Sequence, residues 1–244
     1  MEKKKDSFFS NLKSIGIAVF IALLIRSFIA EPFNIPSGSM KPNLLEGDFI
    51  FVSKWSYGYS RHSLPFSIGR SNNKYFHKTP QRGDVVVFKT PSDNRTDYIK
   101  RVIGLPGDEI YIKDGLIIIN DEIIYREKLK DFIDYRDGIP NDLKRVRRYK
   151  EFFYDKEVEV LDRHDGYPQD NMGPFIVNDN HFFVMGDNRD NSQDSRFNIT
   201  GQIPFENLVG KARFIFFSLE NSRFLEIWKW PNAIRGSRIF KTIK

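Results

Sequence analysis

Three short stretches hold residue types that could do chemistry together. The first is Pro36-Ser37-Gly38-Ser39-Met40. Pro32 and Pro36 fix an extended entry and Gly38 permits a tight backbone, so Ser39 can be presented outward as a nucleophile. An ordinary Ser-Gly-Ser loop is the plain alternative. The second is Asp97-Tyr98-Ile99-Lys100-Arg101-Val102-Ile103-Gly104, which reads as a strand. Alternation puts Tyr98, Lys100 and Val102 on one face. A lysine between an aromatic and a β-branched neighbour, once buried, loses the hydration of its ammonium, and its pKa falls. The neutral amine can then take a proton from a serine hydroxyl. A strand lysine that snorkels to water is the alternative. The third stretch, Gly186 to Arg196, packs five Asp and Asn with Ser192 and two Arg among eleven residues directly after the apolar run His181–Met185. It reads either as a solvated turn or as a satisfied network of carboxylates, arginines and hydroxyls that braces a site.

Other chemistries fit poorly. Cysteine is absent, which excludes disulfides, thiolate metal sites, iron–sulfur clusters and cysteine nucleophiles. The four histidines, His62, His77, His164 and His181, stand in no triad context, and neither HExxH nor a phosphate-loop pattern occurs. A calcium loop fails in both registers: from Asp187 the sixth and twelfth positions are Ser192 and Asn198, and from Asp190 they are Ser195 and Gly201. No metal and no cofactor are expected.

The elements that must position these residues are mostly strands. Short apolar or alternating runs bounded by Gly, Pro, Asn and Asp predict strands at Asp48–Ser53, Asp84–Lys89, Tyr98–Ile103, Glu109–Lys113, Leu116–Ile119, Glu122–Tyr125, His181–Met185 and Lys211–Ser218. Asp114-Gly115 is a tight-hairpin signal, and Asn120-Asp121 a second turn. Residues 56–80 read as an inserted polar loop. Residues 126–179, charged and irregular, read as a second lobe.

The 244-residue chain is 40% hydrophobic and 29% charged, which excludes a disordered chain and a polytopic membrane protein. Ile15 to Ile25 is uncharged, and the stretch from Leu12 to Ala30, with Lys13 and Arg26 able to snorkel, reaches about 19 residues, or roughly 28 Å as a helix. It is expected to be a single retained membrane anchor. The alternative, a cleaved leader, puts Phe28 where a small residue belongs. Lys3, Lys4 and Lys5 precede the stretch and place the N-terminus in the cytoplasm. Residues 1–30 hold half of the net charge of +6. The densest basic run elsewhere, Lys144 to Arg148 with Lys150, lies among Asp and Glu and reads as a solvated loop or strand face, so no nucleic-acid partner is expected. Phe214, Phe216, Phe217, Trp228 and Trp230 could rest at lipid headgroups or form core.

Taken together these features resemble type I signal peptidase, the membrane-anchored Ser/Lys protease family. The resemblance covers the anchor, Pro36-Ser-Gly-Ser-Met-Lys-Pro-Asn-Leu44, Gly47-Asp48, Arg82-Gly-Asp-Val-Val-Val-Phe88, Tyr98-Ile-Lys-Arg101, Gly104-Leu-Pro-Gly-Asp108 and the Gly186–Arg196 loop, in that order. It implies a mainly β fold: an antiparallel, two-lobed catalytic domain, similar in its core to self-cleaving SOS repressors, on an N-terminal transmembrane helix. It implies Ser39 as nucleophile and Lys100 as general base. It implies that Ser37 forms the oxyanion hole with the Ser39 N–H, and that Ser192 hydrogen-bonds and orients the base. Asp187, Arg101, Asp194 and Arg196 match the supporting ion network. The variable lobe is short here and lacks a cysteine pair.

An apolar wall would depress the lysine pKa and form shallow pockets admitting Ala, Gly or Ser at −1 and −3 of the cleavage site. Its candidates are Phe33, Ile35, Met40, Leu44, Tyr98 and Ile99. The expected organisation is an anchor over 1–30, a catalytic core over 31–112 and 180–244, and a smaller inserted lobe over 113–179. The expected partners are signal-peptide-bearing preproteins and the bilayer, in a bacterial inner membrane with the catalytic domain outside, as a monomer. Two rivals remain. A self-cleaving repressor would need a DNA-binding domain where the anchor stands, and a membrane-tethered β binding protein would not require Ser39 or Lys100.

Overall fold

The computed structural model describes residues 2–24, 26, 29–58, 78–134, 144–222 and 224–244, with backbone alone over 2–10 and at 22. Most of the loop expected at 56–80 lies outside the described residues. A helix, α1 (Glu2–Leu24), is followed by sixteen strands among the described residues. They are β1 (Ala30–Asn34), β2 (Asp48–Ser53), β3 (Val85–Lys89), β4 (Asp97–Gly104), β5 (Glu109–Lys113), β6 (Leu116–Ile119), β7 (Glu122–Ile123) and β8 (Arg126–Lys128). After them come β9 (Phe132–Ile133), β10 (Arg145–Val146), β11 (Arg148–Phe153), β12 (Lys156–Leu161), β13 (Met172–Ile176), β14 (His181–Met185), β15 (Ile203–Pro204) and β16 (Leu208–Ser218). All their pairings are antiparallel, in agreement with the expected class.

Seven strands form one sheet in the order β1-β2-β16-β3-β4-β14-β15. A second sheet, β13-β5-β6-β7, and a third, β12-β11-β8, belong to the chain between residues 109 and 176. Asp114-Gly115 and Asn120-Asp121 close their hairpins with φ of 50° and 73°, and 51° and 67°. Two successive positive φ values are the mirror-image turn that matches strand twist.

One sequence expectation needs correction. The described residues of 126–179 are not irregular: they contain β8 to β13. Charge hid the alternation there. Along β12, Val158 and Val160 are buried while Glu157 and Glu159 meet Lys150 and Arg148 across the strand pair. Arg147 likewise meets Asp162 and Asp165, so the basic run is a strand face matched by carboxylates.

The α-helical part of the N-terminal segment, α1, runs to Leu24; the described residues Arg26 and Ile29 are π-helical, and Ala30 opens β1. Pro32 disfavours helix at Glu31, and pairing with β2 takes up residues 30–34. Among the described residues no helix is long and apolar enough to cross a membrane. The apolar side chains of α1 from Leu12 onward are nevertheless exposed, Phe20 by 62%.

Three buried clusters hold the sheets together. One joins β4 and β14 to the second and third sheets through Ile103, Phe183 and Met185 against Ile110, Ile117, Phe153 and Val160. The second packs Ile35, Met40 and Leu44 beneath β2, β3 and β16. The third groups Phe88, Val102, Phe182 and Val184. Phe214, Phe216 and Phe217 are half-buried rather than core. They stack on Phe49 and Phe51, with Phe224 and Trp230 against Phe217, while Trp228 is 71% exposed.

Candidate active site

Ser39 sits in a single 3₁₀ turn, Gly38–Met40. The turn is fixed from below, because Met40 and Leu44 are fully buried in the cluster under β2. It is gripped from the side by Asn188, whose Nδ2 donates to the Gly38 carbonyl (2.9 Å) and whose N–H donates to the Ser39 carbonyl (3.0 Å). The Gly38 carbonyl also accepts from the Lys41 N–H (3.2 Å), which closes the turn, so Asn188 adds a second donor there and supplies the donor to Ser39.

Lys100 reaches the turn from β4. Its Nζ lies 2.8 Å from Ser39 Oγ and 3.1 Å from the Ile99 carbonyl, and the residue is only 4% exposed. Burial pulls its pKa down to about 8; Asp194 and Asp187 push the other way and Arg196 assists the fall. The Tyr98 ring centroid stands 5.3 Å from the amine. At neutral pH about one molecule in ten therefore carries an uncharged amine within hydrogen-bond reach of the hydroxyl. Ser37 is exposed, and its Oγ lies 3.4 Å from Ser39 Oγ.

The loop after β14 carries its charges inward. Asp194 accepts from Arg196 Nε (2.8 Å) and Nη2 (2.9 Å) and from the Gly186 N–H (2.9 Å). Asp187 binds Arg101 through both carboxylate oxygens at 2.7 Å each and also accepts from Asn43 Nδ2 at 2.7 Å. Arg189 pairs with Glu151 of β11, tying the loop to the third sheet. The four residues expected in an ion network thus form two buried pairs flanking Lys100.

Two expectations are corrected. Ser192 makes no hydrogen bond, and Lys100 is not oriented by it. Its Oγ stands over Gly186, where an added Cβ would come within 2.2 Å of it, and the amine is held by Ser39 and Ile99 instead. Of the six apolar wall candidates, Phe33, Ile35, Met40, Leu44 and Ile99 share one cluster, but Tyr98 packs with Phe88 and Val102 in another. Alternation along β4 sends Tyr98 and Ile99 to opposite faces. Met40 and Leu44 have no exposed surface and support the wall from beneath rather than lining a pocket.

Asn188, Asn43 and the Arg189–Glu151 pair were missed by reasoning from sequence. The first two stand inside recognised stretches; asking what satisfies the carbonyls of a tight turn would have pointed to an amide nearby. Glu151 gives no such signal, because only folding brings β11 to the loop.

Comparison with known proteins gives the family. A family model described as "Signal peptidase, peptidase S26" matches residues 8–217. The chain belongs to the type I signal peptidases. Signal peptidase I of Rickettsia typhi is 41% identical over 249 aligned residues, covering 94% of this chain and 92% of the relative. That of Rickettsia prowazekii is 40% identical, and that of Rickettsia bellii is 39% identical, covering 95% of this chain and 84% of the relative. A crystal structure of a signal peptidase I from Enterococcus faecalis aligns at a TM-score of 0.32 and 22% identity, over 55% of this chain and 97% of that one, too slight a likeness to argue from. Membership makes the protein a hydrolase of the signal-peptide-processing peptidases.

Proposed function

We propose that the chain removes N-terminal signal peptides from exported preproteins with a Ser/Lys dyad and no metal or cofactor. The observation that carries this reading is the 2.8 Å approach of a buried, pKa-lowered Lys100 amine to Ser39 Oγ. Neutral Lys100 accepts the Ser39 proton as Oγ attacks the scissile carbonyl. The developing oxyanion is met by the Ser39 N–H and the Ser37 hydroxyl. Lys100 then passes its proton to the leaving amine, and water, deprotonated by the same lysine, hydrolyses the acyl-enzyme. Asp187 and Asp194 favour the ammonium, and the arginine paired with each weakens that pull so that burial prevails.

Partly exposed Phe33 and Ile99 supply the apolar surface for small side chains at −1 and −3, on a floor of Ile35, Met40 and Leu44. An extended substrate lies along the edge of β1, the last strand of the large sheet. The exposed apolar face of α1 is placed in the bilayer, with the N-terminus cytoplasmic, and the aromatic layer around Phe217, Phe224 and Trp228 at the headgroups. Preproteins held in the same bilayer then reach the site at raised effective concentration. The core spans 31–112 and 180–244 and the inserted lobe 113–179, with β5 joined by pairing to the lobe. The test is cleavage of a secreted-precursor peptide by detergent-solubilised protein. Specific cleavage after small residues, lost in Ser39→Ala and Lys100→Ala variants that stay folded, supports the reading; cleavage retained in either variant overturns it.

A further inference from the structure

Arg101 follows the proposed base in the chain and is itself buried. Its Nε and one Nη are spent on Asp187. The other, Nη1, donates to two main-chain oxygens, that of Gly83 at 2.6 Å and that of Lys244 at 2.8 Å. The second acceptor comes from a segment far along the chain, brought in by sheet geometry. β3 pairs β16 only over Leu208–Lys211, which leaves the edge of β16 beyond that point open. Residues 240–243 take it up: Phe240 N–H donates to the Ile215 carbonyl, Ile215 N–H to the Lys241 carbonyl and Ile243 N–H to the Arg213 carbonyl, at 2.7, 2.9 and 2.8 Å. Ile243 also packs on the cluster that holds Met40 and Leu44 beneath the nucleophile turn. Beside this strap lies a cleft of about 330 Å³ whose walls include Arg101, Asn43, Glu159 and Lys244.

We propose that residues 240–244 are a positioning strap for the reaction centre, in which the Lys244 main-chain oxygen locks Arg101 onto Asp187. This rests on the Ser/Lys reading given above. The charged and polar groups facing Lys100 are few. Ser39 comes from the nucleophile turn, Asp187, Asp194 and Arg196 from the loop after β14, and the Tyr98 ring from β4; Arg101 leaves the other face of β4 and acts on the amine only through Asp187, and β3 sets Val86 opposite Lys100. Asp187 favours the ammonium, and Arg101 answers that charge. Without the strap, Arg101 loses an acceptor and the adjoining cleft opens onto the pair. A less neutralised Asp187 favours the charged amine. The acid limb of the rate profile must therefore move up, towards an ordinary lysine.

The test compares the full chain with one ended after Lys241, and with Ile243→Ala at full length, cleaving the same precursor peptide from pH 6 to 10. Expected for the shortened chain are a kcat at neutral pH lower by about three- to tenfold, KM within about twofold, and an acid limb raised by about 0.5–1 pH unit. Ile243→Ala shifts the limb the same way by less. An unmoved limb in a folded shortened chain overturns the proposal, even if kcat falls evenly at all pH values, because even loss marks a merely structural role. If the shortened chain does not fold, Ile243→Ala decides alone, and an unmoved limb there overturns it. Failure of the underlying reading looks different: Lys100→Ala in the full-length chain would then still cleave.

Discussion

Lys100 Nζ and Ser39 Oγ meet at 2.8 Å across 61 positions of sequence, and each is held by a different part of the chain. Ser39 is fixed by the core beneath its turn and by Asn188, and Lys100 by the middle of β4, where it faces Val86 of β3. Neither residue can shift without disturbing buried structure.

Ser39→Ala and Lys100→Ala should each lower kcat/KM by at least about three orders of magnitude, and the double variant little further, because the two groups act as a unit. Lys100→Arg should be as inactive, since a guanidinium does not deprotonate. Single-turnover cleavage of a precursor peptide checks all four.

Activity should climb with pH and level off above about 8, where Lys100 is neutral. Stability should show the same group. Its folded pKa lies below the ordinary lysine value, so the unfolded chain binds more protons between about 8 and 10.5, and stability rises with pH across that window. Below it the full cost of burying the ammonium is present, on the order of 3 kcal/mol. Lys100→Met should therefore unfold at higher denaturant than the parent at pH 7, and the gap should close by pH 10.5; chemical denaturation at the two pH values measures it.

Asn188→Ala should leave the Gly38 carbonyl with the Lys41 N–H alone and free the turn on the loop side. A stability loss of about 1–3 kcal/mol is expected, with kcat reduced more than KM is raised. Equal catalytic parameters in the variant would show that the core alone positions Ser39.

Gly186→Ala should be far more damaging than its size suggests. The new Cβ would lie 2.2 Å from Ser192 Oγ and 2.6 Å from the Ser39 carbonyl oxygen, so the nucleophile turn itself must move. Loss of cleavage with a retained far-ultraviolet β signal is the expected result.

Trp228→Ala together with Leu225→Ala removes the two most exposed apolar side chains of the 224–230 segment without touching the stacked rings. The paired variant should sediment less with anionic liposomes and keep its thermal midpoint. Unchanged partitioning would remove this segment from the membrane-facing surface.

Much of this was legible in the chain. β2, β5, β6 and β14 have the bounds their alternation predicts, and both tight turns adopt the positive φ that Asp-Gly and Asn-Asp favour. Local pattern governs there, because side-chain period and turn chemistry act over a few residues. β11 and β12 were hidden because their outward positions are charged and their apolar positions few.

The sequence by itself determined which residues carry the chemistry: a serine after a glycine turn, a lysine set in an apolar strand, and a loop dense in paired charges. Tertiary structure alone decided their partners. It gave the amine to Ser39 rather than Ser192, set Asn188 on the turn, turned Tyr98 away from the wall of Ile99, and brought the Lys244 oxygen to Arg101. A hydrogen bond is made within a few ångströms, and residues far apart in sequence reach that distance only after strand register and core packing have fixed where each backbone runs.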